Sequence, residues 1–232
     1  MRQTAAQGHD MSDDQALILH HYKESPYAEK VRAFLGYKQL TWRSVITQRI
    51  APKPDLVALT GGYRKVPVLQ VGADVFCDTR LILAELARRA PQPSSQALPG
   101  HWSEVVGHWV DVNLFGRVVE FTFGQNVDHL PDAFLADRAA LRGAPLDREA
   151  LKKAVPLAEQ NLKAQLAWIE IGLSGLHPFI NGEHPGPGDF TLYSTLWFAR
   201  VGRFDFTRFP AIGAWMERLR DFGHGTPTEM SA

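Results

Sequence analysis

The stretch Ala90–Gly100 (APQPSSQALPG) interrupts the chain with prolines and small polar residues, so neither a helix nor a strand is expected to cross it. The two sides of this linker differ in period. Upstream, ALILHH (residues 16–21) has the length and content of a buried strand. Ser25-Pro26 then stands where a helix begins, because serine caps free N–H groups and proline tolerates a position whose N–H has no partner anyway. That helix carries Val31, Phe34 and Leu35 on its apolar face and is expected to stop at Gly36. TWRSVI (residues 41–46) reads as a second strand by its β-branched and aromatic content. Residues 51–63, with Pro52, Pro54, Gly61 and Gly62, read mostly as loop. Val68–Val71 and Val75–Cys77 form a hairpin about Gly72-Ala73-Asp74, and Asp78-Thr79 opens a helix through Arg89. Strands and helices interleaved at this density make a small α/β unit.

Beyond the linker no strand signal is visible. Ser103–Phe123, Pro131–Leu141, Asp147–Leu173, Asp189–Val201 and Pro210–Phe222 all read as helices, with Pro156 expected to kink the third or mark a helix start. An all-α unit is therefore expected, and 232 residues suffice for two domains, 15–90 and 101–225.

Composition narrows the function classes. Lys+Arg 25 balance Asp+Glu 25, which removes any electrostatic reason for a nucleic-acid or acidic-membrane partner. No apolar run approaches the ~20 residues of a membrane span. The polar leader Met1–Asp14 lacks the apolar stretch of a secretory signal. Cys77 is alone, so no internal disulfide or CxxC pair forms, which fits a reducing, cytoplasmic setting. The nine histidines lack metal-ligand spacing, and no metal is expected.

Three motifs carry a resemblance to the cytosolic glutathione S-transferase superfamily. HHYKESPYAEKVRAFLG (residues 20–36) is similar to the strand–loop–helix of the tau and omega classes, where Ser-Pro or Cys-Pro opens the first helix. KVPVLQVGADVFCDTRLI (residues 65–82) resembles the family's cis-proline strand, hairpin and acidic-hydroxyl pair. HPFINGEHPGPGDFTLYSTLWF (residues 177–198) resembles its turn before a buried helix, with Gly186 where a Ser or Thr cap is usual. The resemblance implies a thioredoxin-like domain followed by a helical bundle, glutathione as co-substrate, an apolar small-molecule electrophile as second substrate, a role in detoxification, and a homodimer.

It also implies roles for individual residues. A thiol of pKa roughly 8.5 attacks only as thiolate, and a hydroxyl donating to sulfur at a helix N-terminus favours that form. Ser25 stands where the family places this group; its position alone favours a plain N-cap, and the surrounding motif is what points to the functional role. Tyr22 is the rival donor, or else a tyrosine closing a strand. A cis Pro67 would turn the N–H and C=O of Val66 toward the cysteinyl backbone of glutathione. Lys65 either approaches the glycyl carboxylate or is simply solvated. Asp78 and Thr79 cap a helix and, at its positive end, suit the γ-glutamyl group. Trp109, Phe115, Phe121 and Phe123 line an apolar pocket or belong to the core. Asp189 reads as a capping residue, and Cys77 as an inert, strand-bound thiol. Serine at position 25 cannot form a mixed disulfide, which disfavours a thiol oxidoreductase. A non-catalytic module that keeps the glutathione pocket is the alternative to a transferase.

Overall fold

The computed structural model of the chain describes residues 15–95, 102–175 and 177–231. The leader Met1–Asp14 and the linker residues 96–100 fall outside them.

Burial alternates along β1 (Leu17–His21), which puts Leu17 and Leu19 in the core, as a half-buried strand requires. Helix α1 (Pro26–Tyr37) follows, with Ser25 as N-cap and Pro26 in the first turn. Strand β2 (Thr41–Ile46) returns parallel to β1. The segment expected to be loop contains α2 (Pro54–Thr60). Its proline opens the helix, and Gly61 closes it in a left-handed conformation at φ 64°. The two residues read as breakers are thus its start and stop signals. Strands β3 (Val68–Val71) and β4 (Asp74–Cys77) form the expected hairpin, and α3 (Thr79–Arg89) follows.

The stretch expected as one helix from Ser103 is three pieces: α4 (Trp102–Trp109), a π-helical turn at Val110–Leu114, and α5 (Phe115–Asn126). Next come α6 (Asp132–Arg142), α7 (Arg148–Leu173), α8 (Pro187–Val201) and α9 (Pro210–Arg220). Helix α7 runs through Pro156 and does not begin there. One expectation fails: Thr226–Met230 is a strand, β5, parallel to β2, and it completes a five-stranded sheet of order β4-β3-β1-β2-β5. All five β5 residues are exposed, so the hydrogen bonding of its backbone to β2, and not side-chain burial, makes it a strand.

One apolar core joins the sheet half to the helical half. Phe34 of α1 meets Phe190 of α8 edge-on at 5.0 Å between ring centres, and Tyr37 lies 5.7 Å from the same ring. Each fully buried large side chain here contributes about 1.5–3 kcal/mol, so α1 and α8 fix the two halves against each other. In the first turn of α8, Asp189 is wholly buried and accepts four hydrogen bonds, from the N–H groups of Ile180, Asn181 and Gly186 and from Trp215 Nε1, at 2.8–3.2 Å. The structural reading of Asp189 holds. Gly186 is also explained: a Cβ there would lie 2.5 Å from Ser103 Oγ and 2.7 Å from Asn181, so the usual Ser or Thr has no room.

Candidate functional site

A cavity of about 730 Å³ opens where the sheet half meets α5 and α6. Tyr22, Ser25, Lys65, Val66, Pro67, Asp78 and Thr79 all line it, so the fold brings together the two candidate thiol-activating hydroxyls and the candidate glutathione-binding residues.

Ser25 is buried at the start of α1, and its Oγ accepts a hydrogen bond from Ala28 N–H at 3.2 Å. Capping uses a lone pair of the hydroxyl and leaves its proton free to donate, so both readings of this serine are chemically compatible. The loop before it is held from below. Arg32 Nη2 donates to Lys23 O at 2.8 Å and to Glu29 Oε2 at 2.7 Å, Arg32 Nη1 donates to Tyr22 O at 3.4 Å, and Ser25 N–H donates to Tyr22 O at 3.3 Å.

Tyr22 also lines the cavity, and its hydroxyl is bonded to the helical wall. Its hydroxyl accepts from Arg138 Nη2 at 3.2 Å, and Lys53 Nζ lies 5.5 Å from its ring centre. The Val66–Pro67 bond is cis, and Val66 makes no backbone hydrogen bond to another described residue, which leaves its N–H and C=O available beside the cavity. Asp78 has a positive φ of 79° and caps α3, its Oδ1 accepting from Arg80 N–H at 2.8 Å; Thr79 behind it is buried. Lys65 is exposed at the rim. Cys77 does not line the cavity, and burial pushes its thiol up, which keeps it protonated and unreactive.

The aromatic residues of the second half divide. Phe115 and Phe123 line the cavity, whereas Phe121 is core, packed edge-on against Phe204, and Trp109 lies against the core. The sequence reading missed the other wall. Phe134, Arg138 and Arg142 on α6 face the cavity, with Lys53 and Arg64 across from them. The spacing of Phe134, Arg138 and Arg142 at four-residue intervals is the signal that placed them on one face. Asp137 ties this wall together: it accepts from Ala51 N–H at 2.9 Å and pairs with Arg64 and Arg138. Those partners outweigh burial and hold its carboxyl below the usual range.

The sequence matches the family description "Glutathione S-transferase, N-terminal domain" over residues 19–94 and "Glutathione S-transferase, C-terminal domain" over residues 131–218. A GST-like protein from Pseudomonas syringae is 34% identical, with a TM-score of 0.73 over 94% of this chain and 71% of that one. The chain belongs to the glutathione S-transferase superfamily. Its sheet half is the thioredoxin-like domain, extended by β5, and its second half the helical domain of that family. A glutathione S-transferase from Rhodospirillum rubrum shares the fold at 20% identity, TM-score 0.70, covering 88% of this chain and 87% of that one. A curated relative, prostaglandin E synthase 2 of Danio rerio, is 36% identical over 78 residues, 33% of this chain. The chain spans only 20% of that relative's length. Among the described residues no helix is long and apolar enough to cross a membrane.

Proposed function

We propose that the protein is a cytoplasmic glutathione transferase in which Ser25 stabilises the glutathione thiolate. The observation that carries this reading is the position of Ser25: its hydroxyl lines the cavity at the N-terminus of α1 while its capping bond leaves the proton free. The S–H proton leaves to solvent, the thiolate is held by the Ser25 O–H and the positive end of α1, and sulfur attacks the electrophile. A carbon–sulfur bond forms as the leaving group departs with its electron pair. Val66 pairs with the cysteinyl backbone, Asp78 and Thr79 hold the γ-glutamyl end, and Lys65 meets the glycyl carboxylate. These groups belong to a glutathione-binding domain of residues 15–90, followed by a helical domain of residues 101–225.

A homodimer is part of this proposal. Leu81 on α3, Trp102 and Val105 on α4 and Val112 in the π-helical turn are 51–66% exposed, large apolar side chains for a monomer to leave in water. A two-fold partner of this family's kind covers such side chains.

Calorimetric titration with millimolar glutathione, followed by conjugation of an activated aryl halide monitored by absorbance, tests the reading. Heat and turnover are expected. Heat without turnover moves the protein to the non-catalytic module, and no heat removes glutathione altogether.

A further inference from the structure

Arg32 sits on α1 about two turns beyond Ser25, buried, with contacts enough for all the N–H groups of its guanidinium. Nε and Nη2 donate to Glu29 Oε2 at 3.2 and 2.7 Å, and Nη2 also donates to Lys23 O at 2.8 Å. Nη1 donates to Tyr22 O at 3.4 Å and to His21 Nδ1 at 3.1 Å. A guanidinium only donates, so Nδ1 accepts, and His21 Nε2–H donates to Ser44 Oγ at 2.9 Å. The fork therefore grips two carbonyls of the loop that carries Ser25, and Ser25 N–H donates to the same Tyr22 O at 3.3 Å. Displacing the guanidinium displaces that loop.

What fixes the guanidinium lies outside α1. Glu29 is 2% exposed, and while Oε2 faces Arg32 its Oε1 accepts from His224 Nε2 at 3.0 Å. His224 stands between Gly223 and Gly225, which take left-handed φ values of 64° and 68°. This turn is pressed against the end of α1 and the start of β2. A Cβ on Gly36 would lie 2.0 Å from Gly223 O, and one on Gly225 would lie 2.3 Å from Leu40 O. Trp42 Nε1 donates to His224 O at 2.7 Å, and Thr226 N–H donates to Leu40 O at 2.9 Å where β5 begins. A connected polar network thus runs from the start of β5 to the Ser25 loop, and such networks hold their members rigidly when every group is satisfied. Neither Glu29, Arg32 nor His224 lines the cavity.

We propose that Arg32 is a positioning residue for Ser25, set through Glu29 and His224 by the turn into β5, so that this turn tunes thiolate formation in a cavity it does not touch. The inference rests on the transferase reading above, in which the Ser25 hydroxyl stabilises the thiolate. A preorganised donor acts only where the charge forms, and a misplacement of about 1 Å costs on the order of 10²-fold. The loop from Tyr22 to Ser25 is short, so the two carbonyls held by Arg32 govern where the hydroxyl points.

The test follows the ultraviolet absorbance of the thiolate across pH with the protein saturated by glutathione, which needs no second substrate. His224→Ala alters a side chain that is 44% exposed. It is expected to make the bound thiol titrate about one pH unit higher, equivalent to about tenfold, with the Kd for glutathione near wild type. His224→Gln keeps an N–H donor for Glu29 and is expected to restore most of the shift. The deciding comparison repeats His224→Ala in a Ser25→Ala protein. There it is expected to add nothing, because a group acting through Ser25 loses its effect once the hydroxyl is gone. Arg32→Lys keeps the charge beside Glu29 but cannot bond both carbonyls, so it is expected to shift the thiol in the same direction. That variant carries the test if His224→Ala does not fold. A thiol unshifted in the folded variants overturns the proposal. So does an equal shift with and without the Ser25 hydroxyl, or loss of glutathione binding in His224→Ala, since the network would then support the site as a whole. If Ser25→Ala alone leaves the bound thiol unmoved, the role given to Ser25 fails first, and this inference with it.

Discussion

At Ser25 a single hydroxyl caps a helix and, in the function proposed above, activates a thiol. Ser25→Ala is expected to cost about 1 kcal/mol of stability from the lost cap and about 10²–10³ in turnover from the lost donor. Glutathione affinity should stay close to wild type, since the other groups proposed to hold the tripeptide lie elsewhere. The pH–rate profile should move to higher pH, because the bound thiol loses a group favouring its charged form. An alanine protein of lowered stability but full turnover would reduce Ser25 to a cap. Gly186 gives a second test at this scale. Gly186→Ser supplies the hydroxyl common in the family, yet its Cβ would press on Ser103 Oγ and Asn181. Crowding of this kind costs about 1–3 kcal/mol, so thermal denaturation should show a lowered Tm where cap preference alone predicts a rise.

Helix α1 is the element on which most of the site depends, and its polar side chains are buried as a connected group. Glu29 accepts from Arg32 and lies 3.0 Å from His224, Arg32 Nη1 lies 3.1 Å from His21 Nδ1, and His21 Nε2 lies 2.9 Å from Ser44 Oγ. Trp42 Nε1 donates to His224 O and Thr226 N–H to Leu40 O, so the same group anchors the turn into β5. Burial, with the Arg32 charge beside it, pushes His21 down to about 3. The folded state therefore keeps this ring neutral, while the unfolded chain protonates it below about 6.5. Between these values the unfolded state binds more protons, so stability falls as pH falls from about 6.5 toward 3, by up to about 1.4 kcal/mol per pH unit from this residue. Glu29 acts in the same direction: burial alone would raise its carboxyl, but His224 and Arg32 hold it below the usual range. Its contribution is present above the unfolded value and is lost as pH falls through the folded one. Urea denaturation of the wild type at pH 7.5 and 5.0 should show the loss, and His21→Gln should flatten it. An unchanged pH dependence in that variant would assign the acid sensitivity to other groups.

For the whole molecule, the exposed side chains of Leu81, Trp102, Val105 and Val112 and the dimer proposed to cover them predict a dimer at micromolar concentration by sedimentation. Trp102→Lys combined with Val112→Lys should yield a monomer that keeps its helical content. A wild-type monomer would leave those side chains without the partner proposed for them.

The sequence by itself determined much of this protein, wherever the determining interaction is local. The α1 start at Ser25-Pro26, the hairpin about Gly72, the α3 cap at Asp78 and the buried register of Leu17 and Leu19 depend on neighbours a few residues away, so their residue types announce them. Pro54 and Gly61 were equally local signals, although as a proline and a glycine they resemble the punctuation of a loop. Tertiary structure alone decided the rest. Thr226–Met230 carries proline and buries no side chain, and becomes a strand only because the edge of β2 offers its backbone partners. The helical pattern from Trp102 to Asn126 is continuous, so nothing in it marks the π-helical turn at Val110–Leu114. Phe115 and Phe121 look alike in sequence; one faces the cavity and the other Phe204 because α5 lies between two neighbours. Lys53 and Arg64 flank α2 while Arg138 lies on α6, and their charges meet across a cavity that exists only once the two halves have closed on a common core.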